Sequence, residues 1–208
     1  MFDVNTLSLF ISASVLLALA PGPDNIFVLT QSAVKGWLVG LIVTLGLCTG
    51  LIVHTVAVAF GVAAIFQASE LAFTALKLAG AAYLLYLAYK SLRAGAATLE
   101  TENTEGVRLS NFYGRGIIMN VTNPKVSIFF LAFLPQFADP AKGPLPLQLI
   151  TLGAIFMVVT FVVFGLISLL AGVIGNRFRK SPRMQILLNR VAGVVFIGLA
   201  LKLATSNR

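Results

Sequence analysis

Hydrophobic positions along this chain fall into long blocks rather than into an alternating or 3.6-residue pattern. Six blocks stand out: Leu7–Leu29, Leu38–Phe66, Leu71–Leu92, Phe112–Phe137, Leu147–Ile174 and Ile186–Ala204. Each reaches the roughly 18–20 residues that cross a bilayer as a helix. The pattern predicts an all-α integral membrane protein of six transmembrane helices. Two blocks are interrupted. Pro21-Gly22-Pro23-Asp24-Asn25 lies inside the first, and Asn123-Pro124-Lys125 inside the fourth. Proline removes a backbone donor and restricts the residue before it. Within lipid a broken helix is tolerated only where its freed backbone groups face protein or a wet cavity. Both interruptions are therefore expected to turn inward.

The two interruptions are related. Asn25-Ile26-Phe27-Val28-Leu29 matches Ser127-Ile128-Phe129-Phe130-Leu131, and in that register Pro21-Gly22-Pro23 falls on Asn123-Pro124-Lys125. Further on, Lys77-Leu78-Ala79-Gly80-Ala81-Ala82-Tyr83 matches Arg190-Val191-Ala192-Gly193-Val194-Val195-Phe196. The chain thus reads as a three-helix repeat over 1–92, a cytoplasmic linker over 93–111 and a second three-helix repeat over 112–208. Three spans is an odd number, so the halves have opposite orientations, with helices 1 and 4 interrupted. Inverted repeats with paired broken helices are the plan of secondary transporters, which hold substrate where the broken ends meet.

Composition narrows this further. Hydrophobic residues make up 58% of the 208 and charged residues 11%, against about 25% charged in soluble domains. The net charge of +8 would suggest nucleic acid in a soluble chain. Here it is read as basic loops that fix topology and meet lipid headgroups, with no nucleic-acid partner. Lys35, the group Lys90, Arg93, Arg108 and Arg115, and the cluster from Arg177 to Arg190 outnumber Lys77, Lys142, Lys202 and Arg208 on the other side. The positive-inside rule then puts the odd loops in the cytoplasm and both termini on the outer side of the membrane. Glu100, Glu102 and Glu105 mark the linker as solvated. Ala18-Leu19-Ala20 looks like a signal-peptidase site, but no basic segment precedes the apolar run. With one cysteine, Cys48, and one histidine, His54, neither a disulfide nor a Cys/His metal site is expected. No cofactor is called for.

The chemistry-bearing residues cluster at the interruptions. Asp24 and Lys125 are ionisable groups at mid-membrane, where charge is costly and functional by default. Asp24 suits a substrate ammonium or a transported proton. Lys125 suits a substrate carboxylate or the Asp24 carboxylate, and a structural Asp24–Lys125 pair is the plain alternative. Asn25, Asn120 and Asn123 suit ligand contact or capping of broken helix ends. Gly46, Gly50 and His54 share one helix stripe. The histidine is placed either to relay protons or to make a single packing hydrogen bond. Such glycine stripes pack closely, within the chain or against a second protomer in a homo-oligomer.

Pro21-Gly22-Pro23 with Asp24-Asn25, Gly36, Gly40, Gly46, Gly50 and His54 resembles the first half of the LysE/RhtB family of amino-acid exporters. Asn120-x-x-Asn123-Pro124-Lys125, Phe129-Phe130 and Leu134-Pro135-Gln136-Phe137 resemble its second half. The resemblance spans the chain. It implies a proton-driven exporter of amino acids or derivatives such as homoserine, homoserine lactone, threonine, leucine or lysine. The substrate-binding and coupling set is then Pro21, Gly22, Pro23, Asp24, Asn25, His54, Asn120, Asn123, Pro124 and Lys125, with Asp24 or His54 carrying the proton. A membrane-embedded lipid-acting enzyme or scaffold is the other reading. It is disfavoured because a nucleophile–base set or metal site is lacking.

Overall fold

A computed structural model describes residues 2–62, 69–95 and 108–205. Every described element is helical. Helix α1 (Val4–Leu19) starts at Asp3, whose carboxylate accepts the Thr6 N–H at 2.7 Å, and stops ahead of Pro21. Helix α2 (Pro23–Lys35) starts on proline, which loses nothing at a first helical position because that N–H has no partner in any case. It stops at Gly36, whose φ of +95° is open to glycine but strained for other residues. Helix α3 (Trp37–Ala57) continues as a π turn over Val58–Val62. Helix α4 (Glu70–Arg93) is capped by Ser69.

In the second half, α5 (Leu109–Val121) and α6 (Pro124–Ile128) repeat the broken plan. The chain after α6 tightens and loosens within two turns, as a π turn over Phe129–Phe133 and a 3-10 turn over Leu134–Phe137. Helices α7 (Leu145–Lys180) and α8 (Pro182–Thr205) follow. Helix α7 is longer than its apolar block because it runs on through the basic segment after Ile174. Phe66 and the linker acids lie outside the described residues, as do the side chains of Arg177, Arg179 and Lys180.

Four helices are long and apolar enough to cross a membrane, and there are six spans when each bent pair counts as one. The α1–α2 pair bends by 60° and the α5–α6 pair by 48°. Both interruptions are thus sharp turns rather than gentle curves. Leu78, Val158 and Val194 point outward with more than half of their surface exposed. That is the surface a bilayer covers, since apolar side chains meet no penalty in lipid.

Contacts between the halves are reciprocal. Helix α3 lies on α5, while α1 and α2 lie on α7; α3 also meets α7, and α4 meets α8. The glycine stripe explains the first contact. A Cβ built on Gly46 would stand 2.2 Å from the Tyr113 carbonyl, and one on Gly116 would stand 2.5 Å from the Val43 carbonyl. Backbone meets backbone at this crossing, so the stripe is used inside the chain. Towards Lys35, Ser32 and Ser168 hydroxyls meet at 2.9 Å, and Ser168 donates to the Trp37 carbonyl at 2.7 Å. These bonds tie α2, α3 and α7 together.

Candidate functional site

The first break exposes the last carbonyls of α1, which a helix end leaves without partners. Lys125 supplies donors. Its Nζ donates to the Ala20 carbonyl at 2.9 Å and to the Leu17 carbonyl at 3.3 Å. The Asn25 amide donates to the Ala18 carbonyl. A cation at a helix C-terminus also meets the negative end of the helix dipole. Gly22 makes room for the lysine: a Cβ there would stand 3.1 Å from Nζ. Lys125 thus crosses from the second break to close the first. It does not pair directly with Asp24, although each side chain lies within the other's electrostatic reach.

The second break is held in kind. The Asn123 side chain caps α6 by accepting the Lys125 N–H at 3.0 Å. His54 Nε2 meets the Asn120 carbonyl at 3.1 Å, and the Phe130 ring lies 5.6 Å from the imidazole. Gly50 permits this approach, since a Cβ there would stand 2.7 Å from the Asn120 Cβ. Of the two roles open to His54, the geometry places it on the backbone of the break, in one hydrogen bond across helices. Two of the asparagines, Asn25 and Asn123, act as caps.

Asp24 opens α2 with 3% of its surface exposed. A carboxylate in the first turn suits the positive end of that helix. Asn123, Asn120, Lys125 and His54 all bear on it. Four side-chain atoms around the two breaks are buried with no hydrogen bond of good geometry, although the Asn120 and Asn123 side chains lie close enough to Asp24 to act on its carboxylate: Asp24 Oδ1, Asn25 Oδ1, Asn120 Oδ1 and Asn123 Nδ2. Buried polar atoms are almost always satisfied, and each orphan costs about 1–3 kcal/mol. Three acceptors and one donor, drawn from both breaks, match a small ligand that carries an ammonium and a carboxylate. The third N–H of the Lys125 ammonium faces no carbonyl bond.

Pro21, Pro23 and Pro124 shape the breaks and carry no donor. Sequence reasoning missed a second polar group. Thr30 and Gln31 on α2 and Thr160 on α7 are buried, and their side-chain oxygens also lack partners. Their signal was weak, being neutral polar residues inside apolar blocks. It also missed an apolar groove of about 570 Å³ beside the first break. Ala20, Pro21 and Asn25 form its inner end, and Leu166, Leu170 and Val191 its walls.

Comparison with known proteins agrees with this architecture. The family model described as LysE type translocator matches residues 15–207. An uncharacterized membrane protein of Vibrio cholerae serotype O1 is 31% identical over 205 residues, covering 98% of each chain. A homoserine/homoserine lactone efflux protein of Salmonella typhimurium is 35% identical over 201 residues, covering 95% of each. The protein of the same name from Salmonella typhi is 34% identical over the same share. No solved structure matches the chain. The chain is a multi-pass membrane transporter, not an enzyme, and it belongs to the LysE family of translocators.

Proposed function

We propose that this protein exports amino acids or close derivatives, homoserine and its lactone foremost, from the bacterial cytoplasm in exchange for protons. It sits in the inner membrane with both termini in the periplasm. Residues 1–92 and 112–208 act as inverted repeats, joined by the 93–111 linker, and rock about the two breaks to expose the site to either side in turn. The observation that carries this reading is the group of four unpartnered buried atoms contributed by both breaks. A bound molecule with an ammonium and a carboxylate or ester carbonyl would satisfy them. The ammonium goes to Asp24 with the Asn25 and Asn120 carbonyl oxygens. The carboxylate of an amino acid, or the ring carbonyl oxygen of a lactone, accepts from Asn123 Nδ2 and from the Lys125 ammonium.

Proton coupling follows from competition. An ionised Asp24 attracts the ammonium, and a protonated one does not. A proton arriving from the periplasm therefore releases substrate and returns with the carrier to the cytoplasm. His54 steadies the second break through the Asn120 carbonyl. The names of the Salmonella relatives supply the substrate class. Gly46 and Gly50 pack within the chain, so a homo-oligomer would meet through other surfaces.

The test is growth and efflux. Cells expressing the protein are expected to tolerate toxic homoserine and to release preloaded labelled homoserine. Asp24→Asn is expected to abolish both while the protein still reaches the membrane. Full resistance in Asp24→Asn would remove Asp24 from the site.

A further inference from the structure

The two breaks differ in how they are covered. Beyond the second break, towards the face that carries both termini, six phenylalanine rings fill the bundle. Phe129 stands 5.0 Å from Phe156, 5.1 Å from Phe133 and 6.3 Å from Phe10. Phe130 stands 5.3 Å from Phe156, and Phe137 lies 5.2 Å from Phe133 and 5.1 Å from Phe10. Four of these six side chains are wholly buried. They come from α1, α7 and the turns after α6, so elements of both halves meet in them. Helix α4 presses on the same turn, where a Cβ on Gly80 would stand 2.2 Å from the Ala132 Cβ.

The first break, on the Lys35 side, borders a groove that no aromatic side chain lines. The corresponding seam between α1, α7 and α8 holds the 570 Å³ groove, which runs from Ala20, Pro21 and Asn25 along the halves of α7 and α8 nearest the basic segment. On the termini face there are further closures. Lys142 Nζ lies 3.2 Å from Asp3 Oδ2, and Lys202 sits 4.7 Å over the Phe137 ring. The termini side of the breaks is thus packed with aromatic rings, whereas the other side carries an apolar groove that reaches Asn25 and stops short of the buried Asp24, Asn120, Asn123 and Lys125.

The geometry points to the Phe10–Phe129–Phe130–Phe133–Phe137–Phe156 cluster as the gate that closes the transport pathway on the termini face. This rests on the alternating-access reading above. Two features make the cluster a gate rather than inert core. Three of the rings ride on a π turn, a rare form frequent at functional sites, which a one-residue shift of its hydrogen bonds would turn into α-helix. That shift would rotate Phe129, Phe130 and Phe133 out of register with Phe10 and Phe156. Phe130 also stacks on His54, which holds the Asn120 carbonyl, so the gate and the site share a contact. Opening is expected when the second break moves on its ligand.

The test is cysteine accessibility in a Cys48→Ser parent, in sealed membranes probed on each side with a membrane-impermeant maleimide. Ala141→Cys marks the termini face. Ile26→Cys, at the inner end of the groove, is expected to react only from the opposite face. Adding Phe133→Ala is expected to raise its labelling from the Ala141 side about tenfold, by shifting the population towards the open gate. If Phe133→Ala fails to reach the membrane, Phe130→Leu replaces it and is expected to act in the same direction. Homoserine flux is measured on the same membranes. Flux with Ile26→Cys labelling unchanged by either variant would overturn the gate alone. Absence of flux in the parent would overturn the transport reading, and the gate with it.

Discussion

Lys125 is the residue on which the two halves depend most directly. Its ammonium satisfies carbonyls of α1 while its own backbone opens α6. Lys125→Met would leave the Ala20 and Leu17 carbonyls buried without donors, at a cost of about 1–3 kcal/mol each. We expect a clear loss of thermal stability in detergent together with loss of transport. Lys125→Arg keeps charge and donors but not the compact fit against Gly22, and should restore stability more than transport. Gly22→Ala places a methyl 3.1 Å from Nζ. It should leave folding nearly intact and weaken substrate binding, seen as a raised KM in efflux assays. The sequence made Asp24, Lys125 and the asparagines legible because charge and amide groups inside apolar blocks are conspicuous. It did not show that Lys125 reaches across to carbonyls, because a side chain's partner at long range depends on how helices pack. Asp3 behaves differently. The Thr6 N–H, with help from Lys142, holds its carboxylate down at about 2. Its depressed value means that the Asp3 contribution is present above the unfolded value of 3.8 and is lost only as pH falls through about 2. The Asp3–Lys142 contact is therefore expected to be unchanged by pH across the range in which transport is measured.

At the scale of elements, the breaks and the glycine seams set the architecture. Block lengths and proline positions were enough to place six spans and both bends, since each is a local property of the chain. The π turns at Val58–Val62 and Phe129–Phe133 were not legible. Nothing in an apolar run distinguishes five-residue from four-residue hydrogen bonding, and tertiary contact decides it. The glycine stripe was legible as a close contact but not as to its partner, which proved to be α5. Gly46→Ala puts a methyl 2.2 Å from the Tyr113 carbonyl, a backbone atom that cannot swing away. Overpacking of this kind costs about 1–3 kcal/mol or more. We expect Gly46→Ala to lower the melting temperature distinctly. Gly114→Ala, with open space around it, should leave it unchanged or raise it slightly because alanine favours helix.

For the whole molecule, the reciprocal contacts of the halves and the unequal cover of their breaks belong to one account. The halves meet in reciprocal contacts, and aromatic rings pack the termini side of the breaks while a groove borders the other. The repeat was visible in sequence through two short matches, but the asymmetry was not, since related halves predict symmetry and only three-dimensional packing breaks it. The substrate class rests on the relatives and the site's polarity, and the coupling ion rests on Asp24. Proteoliposomes containing the purified protein, preloaded with labelled homoserine and given an imposed pH gradient, test the central claim most directly. Efflux should speed up when protons flow inward against it and slow when the gradient is reversed, and Asp24→Asn should lose that dependence. Efflux indifferent to the gradient, or a gradient response kept in full by Asp24→Asn, would contradict proton exchange at the paired breaks.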